Sequence, residues 1–439
     1  MRKMTQGSIT RHLIAYALPL ILGNIFQLTY NAVDSIVIGK FAGENALAAV
    51  SAANPVMTIV ILGVSGVSIG ASVLMSRFFG AGDTQKLRRE VATTLVFGAI
   101  ASLIVFLIGL PLSEPVLRLM NVPADVLPMA AGYLRVIFVG FLFTFQYNIL
   151  AAALRSVGDS KTPVIFLAVA SVMNAGLDVV FVAFGKWGVI GAGAATVIAE
   201  GVSALLCAAH IYRNIPLLHL SLRDLRIDKT LLSETVSYGA ITALQQACQP
   251  IGKAVIQSVI NAQGVSVMAA FNAVSRIDDF ACIPEQSISS GIMTCIAQNR
   301  GAGEHERVGQ TLRYGMRIEA VYGVLICLIV LAVKTPVMRL FAAQDSVSMI
   351  GMGVDYLTLM AFFYILPGLT NGIQGYFRGM GEMKTTLIAT FIQISVRALV
   401  VWLLVPRIGL NGAAWACAAG WCLMLVYTFF RYRKVKIKA

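Results

Sequence analysis

The first feature of this sequence able to do chemistry is an acid inside a hydrophobic run. Asp34 sits near the end of residues 13–39, a stretch long enough to cross a bilayer as a helix of about 1.5 Å rise per residue. Gln27, Tyr30, Asn31 and Asp34 recur at spacings of three, four and seven, which places one polar stripe on an otherwise apolar helix. A carboxylate at that depth costs about 2.5–3.5 kcal/mol on insertion scales, so it needs a cavity, a partner or an exchangeable proton. A second acid, Asp178, lies eight residues before Lys186 in the fifth apolar run, as Asp34 lies six before Lys40 in the first. Thr196 is reached seven residues into the sixth run and Tyr133 six into the fourth. Helical rise puts all four roughly 9–12 Å below one membrane boundary, with Asn174 one turn deeper than Asp178 on the same face. Two acids at one level, with amide and hydroxyl donors and no base beside them, form a site for a proton or a small cation such as Na⁺. The alternative is a hydrogen-bonded acid pair that pins helices together.

The elements that must position these groups are helices. Of the 439 residues, 58% are hydrophobic and only 13% charged, against roughly 25% charged in soluble domains, which points to an all-α integral membrane protein. Twelve apolar runs follow one another with no extended polar domain between them. Their longest connection, 214–230, divides the chain into an N-terminal six-helix bundle (1–213), a cytoplasmic linker (214–230) and a C-terminal six-helix bundle (231–439). Of the 34 Lys and Arg residues, 24 fall at the N-terminus, after even-numbered runs or in the C-terminal tail, and 6 on the opposite side. The other four, Arg135, Lys253, Arg276 and Arg397, lie within runs, Arg135 and Arg397 where they can snorkel to the interface. That bias predicts both termini on the cytoplasmic side of the cell membrane.

The halves repeat. Phe79-Gly80-Ala81-Gly82-Asp83 returns as Arg300-Gly301-Ala302-Gly303-Glu304, offset by 221. Arg155-x-x-Gly158-Asp159-x-Lys161-Thr162 returns as Arg378-x-x-Gly381-Glu382-x-Lys384-Thr385, offset by 223. Six runs per repeat is even, so the halves share one orientation, related by a pseudo-two-fold axis along the membrane normal. By the offset of 221 Asp34 maps onto Val255 and Asp178 onto Leu399, so the second half lacks the acid pair. It carries instead Lys253, Arg276, Asp278, Asp279 and Glu285, opposite charges that read either as a structural ion-pair network or as substrate and gating contacts.

Other chemistry is missing from the pattern. Four His show no metal-ligand spacing, seven scattered Cys form no CxxC pair, and no phosphate loop or Ser/His/Asp arrangement is present. Basic residues alternate with apolar runs and form no stripe for nucleic acid. The expectation is a non-enzyme without cofactors, acting as a monomer in contact with membrane lipid.

The chain resembles the bacterial type of multidrug and toxic compound extrusion transporters over essentially its whole length. The residues carrying the resemblance are Pro19 with Tyr30-Asn31-Ala32-Val33-Asp34, Gly80-Ala81-Gly82-Asp83, Arg155-Ser156-Val157-Gly158-Asp159, Asn174 with Leu177-Asp178, Gly191-Ala192-Gly193-Ala194-Ala195-Thr196, Glu285-Gln286-Ser287, and Gln298-Asn299-Arg300-Gly301. The resemblance implies a twelve-helix, two-lobe antiporter that exports organic cations and amphipathic drugs in exchange for H⁺ or Na⁺. It also implies that Asp34, Tyr133, Asn174, Asp178 and Thr196 form the coupling cluster, and that Gln27, Tyr30 and Asn148 line the drug cleft. Some members carry acids in runs seven and ten for Na⁺; here those runs offer Gln245, Gln246 and Asn371, which favours coupling in the first half. A lipid or lipid-linked glycan flippase is the competing reading, disfavoured because such a cleft should carry cations for pyrophosphate.

Overall fold

A computed structural model describes residues 3–221, 224–341 and 347–436. Arg223 of the linker, Lys438 of the basic tail and the side chain of Asn31 lie outside the described residues. Thirteen α-helices and no strand occur among the described residues: α1 (Ile9–Phe41), α2 (Glu44–Gly80), α3 (Thr84–Leu119), α4 (Leu127–Ser156), α5 (Lys161–Asp178), α6 (Gly188–Asn214), α7 (Lys229–Asn261), α8 (Val265–Gly301), α9 (His305–Phe341), α10 (Val347–Phe363), α11 (Ile365–Gly379), α12 (Met383–Ile408) and α13 (Asn411–Lys436). Helices α10 and α11 meet at a 43° bend and together make the tenth apolar run, so the thirteen helices correspond to twelve runs. Among the described residues nine helices are long and apolar enough to span a membrane alone, and the bent pair makes ten. Helices α7 and α8 are as long but carry Gln245, Gln246, Gln249 and Lys253, or Arg276, Asp278, Asp279 and Glu285, which lowers their hydropathy.

The apolar runs become helices because no water is present at membrane depth to satisfy a bare backbone. Where they stop, the repeated motifs supply the ends. Asp83 accepts a hydrogen bond from the Lys86 backbone N–H at 2.9 Å and so caps α3, while Asp159 takes the Thr162 N–H at 3.0 Å at the start of α5. Gly82 and its repeat mate Gly303 both turn the chain at positive φ, 72° and 76°, where a Cβ would strain.

The chain forms two compact units, each in two pieces or bounded inside a helix. One spans Pro19–Ala243; the other joins Met4–Leu18 to the chain from Leu244 onward. The division thus falls within α1 and α7, where the sequence suggests it in the polar segment 214–230. In α1 it coincides with Pro19, which leaves the carbonyl one turn earlier without its helical hydrogen bond.

Local contacts explain both crossings. In the first unit, Thr93 Oγ1 accepts the Asp228 N–H at 3.0 Å and seats the start of α7 on α3. Glycines then bring α7 against α2: a Cβ on Gly66 would lie 2.4 Å from the Gly239 carbonyl oxygen. In the second unit the segment before α1 is held by the ends of α8 and α9. The Met4 N–H donates to Gln298 Oε1 at 2.9 Å, and its carbonyl accepts from Asn299 Nδ2 at 3.3 Å and Arg307 at 3.1 Å. The Gln298-Asn299 motif is therefore a cradle for the irregular segment before α1, a role its sequence does not announce.

Candidate functional site

Within the first unit, α1, α4, α5 and α6 bring together most of the groups expected from the sequence. The carboxyls of Asp34 and Asp178 lie within hydrogen-bonding reach of each other. Asp178 is fully buried, Asn174 and Tyr133 nearly so, and Asp34 partly. With its amide turned to satisfy both ends, Asn174 donates to Asp178 Oδ2 at 3.3 Å and accepts the Thr196 backbone N–H at 3.1 Å. The Thr196 hydroxyl donates to the Ala192 carbonyl, 3.1 Å away and one turn back. Tyr133 and Tyr30 are electrostatic neighbours of both acids. One oxygen on each acid, Asp34 Oδ1 and Asp178 Oδ1, is buried with no hydrogen-bond partner among the described residues.

Local backbone helps to place this pair. α5 ends at Asp178, and residues Val179–Phe184 continue as one π-helical turn closed by the Gly185 N–H on the Val180 carbonyl at 2.8 Å. Such a turn widens the helix and rotates the side chains beyond it, a departure that recurs at functional sites. Nothing in the apolar spacing of 179–184 signals it.

A further acid joins this unit's polar interior. Glu200 on α6 accepts a hydrogen bond from the Thr144 hydroxyl and is an electrostatic neighbour of Tyr30 and Tyr133. The signal was available: Glu200 follows Thr196 by four residues, one turn along the same face. Asn148, one turn beyond Thr144, donates its amide to the Thr144 carbonyl at 2.8 Å. Gln27 is exposed on α1 and Tyr30 half-buried.

Glu90 on α3 is a separate buried acid of the same unit. Its Oε1 accepts from the Thr235 hydroxyl at 2.5 Å and its Oε2 has no partner among the described residues, while Arg77 and Glu234 pair at 3.1 Å close by.

In the second unit the charged residues do not form one network: adjacent Asp278 and Asp279 diverge by about 100° and meet different partners, and Lys253–Asp279 is the only ion pair these charges make among the described residues. Lys253 pairs with Asp279 at 2.9 Å, both side chains about half exposed. Asp278 instead accepts from the Tyr364 hydroxyl, at the α10–α11 bend. Glu285 takes a 3.4 Å bond from Asn371. Arg276 is exposed and makes no ion pair among the described residues. Arg397 does not snorkel: its Nε is buried without a hydrogen-bond partner among the described residues, and its electrostatic neighbours are Cys417, Tyr356 and Asp278. Arg135 does lie half-exposed near a helix end, 3.6 Å from Glu114.

Two further polar groups of this unit are settled by its packing. Glu319 on α9 is completely buried, and neither carboxyl oxygen has a hydrogen-bond partner among the described residues. Gly368 and Gly372 of α11 make room for it. Gln245 is saturated: its amide nitrogen donates to Gln374 (2.5 Å) and Thr390 (2.9 Å), and its oxygen accepts from Arg378 and Thr386, both at 3.2 Å. An amide oxygen already holding a guanidinium and a hydroxyl is poorly placed to ligate a cation.

These two helical units have recognisable relatives. The MatE family model matches residues 19–180 and again 242–403, one match in each repeat. The chain is 29% identical over 444 residues to a probable multidrug resistance protein of Bacillus subtilis, YpnP, covering 99% of this chain and 98% of that one. It is 27% identical over 350 residues to an FAD transporter of Shewanella oneidensis, covering 78% and 77%. A solved outward-facing structure of a multidrug resistance MATE family transporter superposes with a TM-score of 0.91 at 22% identity, covering 99% of this chain and 97% of that one. A twelve-run, two-bundle helical membrane fold, a double family match and full-length relatives agree: the chain belongs to the MatE family, the multidrug and toxic compound extrusion transporters.

Proposed function

We propose that this protein is a secondary active exporter of organic cations and amphipathic drugs, driven by H⁺ or Na⁺ through alternating access. The observation that carries this reading is the buried meeting of Asp34 and Asp178 inside an apolar bundle, held by Asn174 and Thr196. A proton shared by the two carboxyls allows one to donate to the other. Its loss leaves two like charges in a medium where their repulsion is several times stronger than in water. The two protonation states therefore favour different arrangements of α1 against α5, and a small cation seated between the carboxylates would act in the proton's place. Transport follows if the arrangement favoured by the loaded pair binds drug less well, because a gradient can drive release only through such differential affinity. Tyr133 and Glu200 supply further polar groups on this path, and Gln27, Tyr30 and Asn148 line the drug's route.

The relatives' names support export of drug-like molecules and give no support to a lipid-linked glycan flippase. The Lys and Arg bias supports cytoplasmic termini in the cell membrane. Function is attributed to a monomer without cofactors. Asp34→Asn or Asp178→Asn should abolish proton-dependent efflux of a cationic dye from cells at normal expression. Full efflux by both variants would sink the assignment.

A further inference from the structure

One end of the first unit carries a charged recess that the coupling site does not use. Arg118, in the last turn of α3, pairs with Glu114 one turn back at 2.6 Å, and Arg135 of α4 approaches the same carboxylate at 3.6 Å. The recess, about 570 Å³, is lined by Pro111, Glu114, Pro115, Arg118, Leu119 and Arg135. A surface ion pair needs one cation for one carboxylate. Here two guanidiniums share one, leaving a net positive charge and most of their ten N–H donors for another acceptor.

The surroundings say what that acceptor is. Down α3, Leu103 and Leu107 are exposed at helical spacing below Pro111; down α4, Val139 and Leu142 are exposed in line with Arg135. Two apolar stripes thus run from the recess along the membrane-facing surface, which acyl chains cover. A guanidinium pair at the head of such stripes matches a phosphate, the anion that Arg binds in forked geometry. The half-exposed Glu114 between them matches a cation carried by the same molecule.

We propose that the recess between α3 and α4 binds an ammonium-bearing phospholipid, its phosphate between Arg118 and Arg135, its ammonium at Glu114 and its chains on the two stripes. Phosphatidylethanolamine is the probe. The full-length protein in detergent is titrated with phosphatidylethanolamine, phosphatidylglycerol or phosphatidylcholine, and bound lipid is counted by native mass spectrometry. The wild type should hold one phosphatidylethanolamine about tenfold more tightly than either other lipid, and R118Q/R135Q should lose about tenfold in that affinity. Glu114→Gln should erase the preference while phosphate binding remains. Lipid-free melting temperatures establish that the variants fold, and Arg135→Gln alone, which leaves the 2.6 Å pair intact, serves if the double variant does not. Unchanged retention by the arginine variants, or no preference for phosphatidylethanolamine over the other two lipids, overturns the proposal.

Discussion

Adding one methyl group at Gly66 should loosen the first unit more than its size suggests. Its Cβ would lie 2.4 Å from the Gly239 carbonyl oxygen and 2.8 Å from both Ala243 N and Ala243 Cβ. Ordinary contact begins near 3.4 Å, so α7 must retreat from α2 by about 1 Å, and two of the three obstacles are backbone. Overpacking of this kind costs about 1–3 kcal/mol. In a unit of this size each kcal/mol is worth roughly 2–4 °C, so melting should fall by about 2–12 °C. The same helix contains its own controls. A Cβ on Gly63 meets nothing within 4 Å, so Gly63→Ala should be neutral or slightly stabilising through helix propensity. Gly70→Ala, with its nearest backbone atoms at 3.0 Å, should fall between the two. Thermal unfolding of the three detergent-purified variants, followed by thiol-reactive fluorescence, ranks them directly. Equal stability of Gly66→Ala and Gly63→Ala would refute close α2–α7 packing and, with it, the seating of the first half of α7 in the first unit.

Other outcomes follow from single contacts. Thr235→Val removes the donor to Glu90 Oε1 and leaves that buried carboxyl wholly unpartnered, so the melting temperature should drop by the equivalent of about 1–3 kcal/mol. Lys253→Ala breaks a half-exposed pair and should change stability by no more than about 1 kcal/mol, with efflux retained. Asp83 is held below the usual carboxylate value of 3.8, chiefly by the Lys86 backbone N–H it caps. Because the folded value is lowered, its contribution is complete above pH 3.8 and fades as pH falls through the lowered value. Asp83→Asn, which keeps a capping oxygen, should flatten that acid-side part of the stability–pH profile. Arg307→Gln should speed hydrogen exchange at residues 4–7 by loosening the carbonyls of Met4 and Gly7, with the rest of α9 unaffected.

The helices were legible because a bilayer demands about twenty apolar residues per span, and the runs from 13–39 to 410–431 meet that demand. Helical rise converts residue counts into a shared level for Asp34, Asp178 and Thr196, and the structure brings these residues together with Asn174. Glu90 stands among Lys86, Arg88 and Arg89 before the third apolar run, where an acid reads as one more loop charge; a lone acid inside an apolar run has no periodic signature unless a second polar residue marks its face. Glu200 had such a marker in Thr196; Glu319 had none. The charges on α8 read as one network because sequence proximity hides direction, and 100° per residue sends Asp278 to Tyr364 and Asp279 to Lys253. Arg397 reads as an interfacial residue because its neighbours Cys417, Tyr356 and Asp278 are far away in sequence. The shift of α7's first half and of residues 4–18 between units depends on backbone approach at Gly66 and on the Gln298–Asn299–Arg307 cradle. Neither leaves a mark in hydropathy.

The most direct test of the acid pair as the coupling site is drug transport in proteoliposomes under an imposed ΔpH or ΔNa⁺, applied separately. One gradient should drive concentrative transport by the wild type, and Asp34→Asn and Asp178→Asn should each abolish that response while still binding drug. Gradient-driven accumulation at wild-type rates in both variants would contradict it.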